Sequence, residues 1–333
     1  MRGFETRPLG HTPLRVTILG LGTGTLGGHR IPVTRQEGEA VVHAAWSTGV
    51  RYFDSAPFYG FGRACRILGD AMRELPRDDW VLSTKVGRLL RPQENEGAPG
   101  ALRHPMPFDA VFDYSYSGIM RSFEDDLQRL GLPRIDILYV HDVGAREHRD
   151  AYPEVRRIFR KSGYRAIEEL RSSGTVGAIG IGVNEWEVLD EAMEWGSWDV
   201  FLLAGRYTLL EQAPIEQLLP KCLRLGISVV IGAPFNTGIL AGRDSWNYRP
   251  APPEIVDRVN AIRTVCDAHN VPLIAAALQF PLAHSAVAAI LPGPLNVEEF
   301  ETNARLLRYP IPPALWADLR TAGLLHADAP APA

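Results

Sequence analysis

Apolar residues in this chain gather in short unbroken runs rich in valine, isoleucine and leucine, and between the runs they recur every three or four positions. The runs are VTILGLG (16–22), RYFDSA (51–56), WVLSTK (80–85), IDILYVH (135–141), VGAIGIG (176–182), WDVFLLA (198–204), SVVIGA (228–233) and AVAAILP (286–292). Runs of this length with little polar alternation predict parallel strands buried on both faces. The stretches between them carry helix signals. Thr34-Arg35-Gln36-Glu37 has the form of a capping box before AVVHAAWSTG, with Gly49 where a helix would end. SGIMRSFEDDLQRLG (117–131) places Ile119, Met120, Phe123, Leu127 and Leu130 on one helical face and closes on Gly131. A last helical stretch, PALWADLRTAG (313–323), precedes an ADAPAPA end whose composition predicts disorder.

Eight strands alternating with about eight helices fit a (β/α)8 TIM barrel, with its active site at the C-terminal mouth of the strands. An open doubly wound sheet could use the same pattern, and periodicity alone leaves the two tied. No stretch reads as an interdomain linker, so a single domain is expected over 1–325, with a disordered tail over 326–333. The long Pro/Gly-rich stretches, 91–107 and 247–253, fall inside single βα connections. Loops 91–113 and 235–250 are therefore expected to shape the mouth and set substrate choice.

GLGTGTLGG (20–28) contains Gly22-x-Gly24-x-x-Gly27 directly after a strand, which satisfies the dinucleotide fingerprint as a string. That fingerprint needs a helix opening within the motif. Here His29-Arg30-Ile31-Pro32-Val33 intervene before the Thr34 cap, and Asp54 comes too late to be the ribose acid. A flexible glycine turn is the expected reading.

Charge narrows the partners. The 333 residues carry 39 acids against 35 bases, a net charge of -4, and no dense basic cluster, which argues against nucleic acid or anionic lipid. Cys65, Cys222 and Cys266 are odd in number and far apart, as reduced thiols of a cytoplasmic protein would be. MRGFETRPLG lacks the apolar core of a signal peptide, and the most apolar stretch, Ala275 to Leu291, is broken by Gln279, Pro281 and His284. No membrane is implied.

Asp54, Lys85 and His141 end the second, third and fourth runs, and Tyr59 follows the second by five positions. Polar groups at the carboxyl ends of successive barrel strands point into one mouth. A tyrosine hydroxyl alone, with a pKa near ~10, is a poor base at neutral pH. A neighbouring ammonium would lower that pKa, and a carboxylate would keep the ammonium charged and placed. The chain Tyr59–Lys85–Asp54 would thus make a tunable acid/base, with His141 orienting the substrate oxygen across from it. This suits proton transfer at an alcohol or carbonyl oxygen while hydride moves at the carbon, and hydride needs a cofactor. A metal-dependent hydrolase would need a His and acid cluster. Only His141-Asp142 offers a start, and strand alternation predicts that Asp142 faces away from the mouth; no metal is expected.

In order and spacing, PLG-x-T…GLGTG, FDSAPFYGFG, STK, ILYVHD, GIGVNEW and LPGPLNVEEFETN resemble the aldo-keto reductase superfamily over nearly the whole chain. The resemblance implies a (β/α)8 barrel that binds NAD(P)H without a Rossmann fold, and a catalytic tetrad of Asp54, Tyr59, Lys85 and His141. It implies cofactor contacts at Gly22, Thr23, Asp54 and Asn184. A pyrophosphate loop would fall on Pro234, Phe235, Asn236, Gly238 and Leu240. The adenine ribose end would lie among Gly293, Asn296, Glu299 and Asn303. Phe58 and His141 would meet the substrate. GFGR after the tyrosine and FDYSY (112–116) look like the branch of sugar 1-dehydrogenases acting on L-fucose, D-arabinose or L-galactose, which pyridoxal 4-dehydrogenase also resembles. Oxidation of the anomeric hydroxyl of a free aldose to a lactone is the leading expectation. Pyridoxal oxidation or general aldehyde and ketone reduction are alternatives, and a non-catalytic cofactor-binding subunit is a more distant one. Three acids at Glu298, Glu299 and Glu301, with no Lys or Arg between Leu291 and Asn303, should repel the 2′-phosphate of NADP, so NAD is the expected cofactor.

Overall fold

The computed structural model describes residues 3–29, 31–93 and 105–332. Its main sheet has eight strands: β1 (Leu21–Gly22), β2 (Tyr52–Asp54), β3 (Val81–Val86), β4 (Ile137–His141), β5 (Ala178–Val183), β6 (Val200–Ala204), β7 (Ser228–Gly232) and β8 (Val287–Leu291). They pair in chain order and all in parallel. A parallel bridge between Leu19 and Ile290 joins the first strand's approach to the last strand, so the sheet rolls into a nearly closed barrel. An open doubly wound sheet would keep those edges apart.

All eight sequence runs supply a strand, but 16–22 does so only in part. Arg15–Thr17 pairs antiparallel with Thr6–Pro8, and this hairpin plugs the bottom of the barrel with Leu9 and Val16 fully buried. The chain then bends, with Thr17 Oγ1 donating to Leu19 O at 2.8 Å, before β1 enters the sheet. Inside the barrel, Tyr52, Ile137, Tyr139, Ala178, Val200, Leu202 and Val230 form one apolar cluster. Their neighbours Phe53, Leu82, Leu138 and Ile179 face outward onto the helices. Both faces are apolar, which is why the period of two is hard to see in the sequence.

The helix starred by the capping box runs Arg35–Thr48; both reciprocal bonds between Thr34 and Glu37 are present, and Gly49 takes the left-handed conformation at φ 100°. Helix Tyr116–Leu130 starts on Ser115 and ends on Gly131 at φ 63°. The expected long loops contain hairpins. Arg88–Pro92 pairs with Phe108–Phe112, and Ser245–Trp246 pairs with Arg249–Pro250. The second turns on Asn247 (φ 51°) and Tyr248 (φ 64°), both left-handed as a tight hairpin turn requires. Part of the predicted specificity loop, 94–104, lies outside the described residues. The segment expected to be disordered is placed against the barrel: His326 N–H donates to Gln212 Oε1 at 2.7 Å, and Ala329 is buried. Among the described residues, no helix is long and apolar enough to cross a membrane.

Candidate active site

Strand alternation carries Tyr52 and Asp54 of β2, Ser83 and Lys85 of β3, and Tyr139 and His141 of β4 to the inside, the later residue of each pair nearer the mouth. Lys85 is the centre of this group. Its Nζ donates to Asp54 Oδ2 at 2.6 Å and to Ser55 O at 2.9 Å, with both side chains buried. Ser83 Oγ donates to the other Asp54 oxygen at 2.7 Å. Beneath them, the Tyr52 hydroxyl lies 3.2 Å from Ser83 Oγ and 3.1 Å from the Tyr139 hydroxyl, a polar floor that ties three strands together.

Tyr59 comes from the turn after β2, where its N–H donates to Ala56 O at 3.1 Å. Lys85 Nζ sits 4.8 Å from the centre of its ring. The glycine motif makes room for it. A Cβ on Gly24 would touch the Tyr59 ring at 3.7 Å, and one on Gly27 would strike the Tyr59 carbonyl carbon at 2.6 Å. A three-residue turn, Thr25–Gly27, follows β1 instead of a long helix, so the motif does not build a Rossmann phosphate site. Its glycines permit close approach of two loops.

The electrostatics differ from the sequence expectation in one respect. Burial is the largest influence on Tyr59 and pushes its phenol above the usual value, with Asp54 pushing the same way; Lys85 pulls it down but does not win. An ammonium already paired to a carboxylate offers a neighbour a reduced field. Burial works against the charge on Lys85, but Asp54 and Tyr59 outweigh it and raise its pKa, so it stays an ammonium. Burial also raises the Asp54 carboxyl, against the pull of Lys85 and Ser83.

The His141 and Tyr59 rings meet edge to face, with centres 6.1 Å apart. Burial, then the Arg88 and Lys85 charges, hold His141 well below its usual pKa, so the imidazole is neutral. Its Nδ1 is buried without a hydrogen-bond partner among the described residues. A buried orphan acceptor costs less than an orphan N–H, so the proton belongs on Nε2, which can then donate to a ligand oxygen.

Asp142 is the main correction. It adopts φ 47°, and this left-handed turn swings its carboxylate back beside His141, with Oδ2 3.4 Å from Nε2, instead of away from the mouth. Simple alternation assumed that the strand continues, whereas β4 ends at His141. Asp142 Oδ2 is ion-paired with Arg88 Nη2. The Arg88 guanidinium is stacked over Phe58 at 4.1 Å and over Phe112 at 4.6 Å. Sequence reading missed Arg88, Phe112 and Asp142; a cation three residues after the strand-end lysine was the available signal.

Of the positions expected to hold a cofactor, Gly22, Thr23 and Asp54 lie beside the tetrad, and the others follow β5, β7 and β8. Ala233 (φ 47°), Asn236 (φ 48°), Thr237 (φ 60°) and Gly238 (φ 121°) bend the chain after β7 through several left-handed positions; the N–H groups of Asn236, Gly238, Leu240 and Arg243 donate to carbonyls within this turn, and the Arg243 guanidinium lies at its end. Pro234, Phe235 and Leu240 belong to the same turn. Several side chains expected to touch the cofactor are engaged within the protein. Thr23 Oγ1 donates to Asp54 O and Ser55 Oγ, and Asn296 Oδ1 accepts from Glu299 N–H as a helix cap. Asn236 is buried, donating to Gly205 O and Glu211 Oε1, each at 3.0 Å. Asn184 Oδ1 accepts from the Tyr248 hydroxyl at 3.3 Å. Gly22 and Gly293 lie where the β1 and β8 loops touch: a Cβ on Gly22 would come 3.3 Å from Leu291 O, and one on Gly293 3.2 Å from Thr25. Asn303 is buried on helix Val297–Leu306. Glu299 is not a lone carboxylate. Arg243 reaches it from the β7 loop at 2.7 Å, and Leu295 N–H donates to its second oxygen at 2.9 Å. Arg243 and the glycines of the β1 and β8 loops are the groups here that could hold an anionic cofactor. Among the described residues, no group of three or more His, Cys, Asp or Glu side chains could hold a metal ion.

Residues 18–323 match the model of the aldo/keto reductase family. The chain belongs to that family. A pyridoxal 4-dehydrogenase of Microbacterium luteolum is 45% identical over 98% of this chain and 99% of its own length. A D-threo-aldose 1-dehydrogenase of a Pseudomonas species is 37% identical over 94% and 95%. A holo-form aldo-keto reductase from Bacillus halodurans has the same fold, with TM-score 0.75 at 24% identity, covering 98% of each chain. The protein is thus an aldo-keto reductase and an enzyme, acting on small molecules with a nicotinamide cofactor.

Proposed function

We propose that this aldo-keto reductase oxidises the hydroxyl of a cyclic hemiacetal to a lactone, with NAD as acceptor. The observation that carries the reading is the convergence of Tyr59, Lys85, Asp54 and His141 on one mouth. His141 Nε2–H donates to the reacting oxygen and fixes its place. Tyr59, as phenolate, takes the hydroxyl proton as general base and becomes the neutral phenol, and Lys85, held by Asp54, steadies the phenolate before the transfer. The nicotinamide supplies the two-electron acceptor that no side chain provides. The β7 turn with Arg243, and the β8 loop with Glu299, would hold its phosphates and ribose.

Two hemiacetals come forward, because the relatives are named for pyridoxal and for D-threo-aldoses. The sequence alone favoured the aldose. The higher identity, 45% against 37%, supports pyridoxal first and the aldose second. The NAD preference rests on Glu299 and on the engagement of Arg243 with it, since a 2′-phosphate would have to separate that pair. Three buried thiols without disulfides support a reducing, cytoplasmic setting. The test is a panel of pyridoxal, L-fucose, D-arabinose and L-galactose with NAD and with NADP, followed by the absorbance of the reduced cofactor. Oxidation of at least one hemiacetal, faster with NAD, is expected. Efficient aldehyde reduction with no hemiacetal oxidation would overturn the reading.

A further inference from the structure

Asp142 takes a backbone conformation that non-glycine residues rarely adopt, at φ 47°. Two contacts hold it there: its N–H donates to Gly182 O at 2.9 Å, and Arg88 pairs with one carboxylate oxygen. Arg88 is itself 5% exposed, its guanidinium clamped between two phenyl rings. Strain maintained by a buried ion pair, beside a group that must meet the substrate, is what a purpose-built recognition element looks like. Oδ2 takes the ion pair, and Oδ1 makes no hydrogen bond among the described residues. The side chain is 15% exposed, enough to reach a ligand at the mouth.

We propose that Asp142, held by Arg88, is a specificity-determining residue that accepts a hydrogen bond from a substrate hydroxyl neighbouring the reacting oxygen. The inference rests on the hemiacetal reading above. The geometry closes a four-membered circuit. His141 Nε2 donates to the reacting oxygen across ~2.9 Å, and a neighbouring hydroxyl lies about one hydrogen-bond length further on. That hydroxyl donates to the Asp142 carboxylate across ~2.8 Å, and the carboxylate stands 3.4 Å from Nε2. The 2-hydroxyl of an aldose meets this requirement, and the ring hydroxyl beside the reacting carbon of pyridoxal meets it when it carries its proton. A substrate without that hydroxyl leaves the carboxylate desolvated and unpaired, which is how sites reject analogues strongly.

The test compares substrates that differ only in that group: D-arabinose with 2-deoxy-D-ribose, and pyridoxal with 3-deoxypyridoxal. In the wild type, kcat/KM for the hydroxylated member should exceed that for its deoxy partner by roughly 10²-fold or more. Asp142→Ala should bring the ratio to within about tenfold, by reducing the hydroxylated member far more than the deoxy one. Because that variant leaves the buried Arg88 with only Glu147, 3.5 Å away, as a partner, Arg88→Met/Asp142→Leu is measured beside it, removing both charges and keeping an apolar stem between the rings. Thermal melting and cofactor quenching of tryptophan fluorescence report whether each variant is folded. A ratio that persists in either folded variant, or its absence from the wild type, overturns the inference and leaves the hemiacetal reading standing. A wild type that oxidises none of the four compounds overturns both.

Discussion

Asp54, Lys85 and His141 stand at or next to the last residues of β2, β3 and β4, while the opposite wall of the mouth hangs on loops after β6 and β7. On the first side the sheet register aims the side chains: Asp54 pairs with Ser83, Lys85 with Tyr139 and His141 with Gly182. On the second side no register exists. Glu211 does that work, accepting from Arg206 Nη1 at 2.7 Å, Asn236 Nδ2 at 3.0 Å and Trp246 Nε1 at 2.8 Å. Arg206 then donates to Asn184 O at 2.8 Å and to Asn247. A strand places a catalytic group with backbone hydrogen bonds, whereas a loop needs side chains from distant segments to agree. The first wall should therefore fail in chemistry when altered, and the second in binding.

The largest effect is expected at the centre of the first wall. Tyr59→Phe removes only the phenol oxygen, so kcat should fall by roughly 10² or more while cofactor affinity, read by fluorescence quenching, holds within a few-fold. Near-normal turnover would remove Tyr59 from the mechanism. Lys85→Met leaves Asp54 as an uncompensated buried charge and should cost about 3–5 kcal/mol in denaturant unfolding, besides its loss of turnover. Unchanged stability would mean that the pair contributes nothing to the fold.

The same wall makes a pH prediction. Because burial raises the Tyr59 phenol, its base form gains population as pH rises, and oxidation should accelerate into the alkaline range. Lys85 pulls that pKa down, so in residual activity of Lys85→Met the rising limb should move to higher pH. A limb that stays in place, or moves lower, would show that another group titrates.

On the second wall, Glu211→Ala removes the acceptor for three side chains. Cofactor Kd should rise by roughly tenfold, the scale of one lost charge-assisted hydrogen bond, with a loss of kcat much smaller than that of Tyr59→Phe. Equal losses in both quantities would erase the contrast between the walls. The smallest effect is expected at the far end of the cofactor. Glu299→Arg should shift the kcat/KM ratio toward NADP, since Arg243 would be released and a second cation added. No shift would leave Glu299 as a helix-end charge, satisfied by Leu295 N–H.

Chain order and residue type were enough to determine that eight buried strands alternate with helices, that Asp54, Lys85 and His141 belong at strand ends, and that Tyr59 belongs in the loop after the second strand. Those features are local: unbroken apolar runs, a capping box, a polar residue where a run stops. Three things awaited the tertiary structure. Barrel closure depends on Leu19 meeting Ile290 across nearly the whole chain. The balance at Tyr59 depends on how deeply the ring is buried, which outweighs an ammonium whose charge is shared with Asp54. The return of Asp142 to the mouth depends on one positive φ and on Arg88, 54 residues earlier, reaching over to hold it. Each is a contact or a burial between residues far apart in the chain, and the energy of such pairings appears only once the backbone has brought them together.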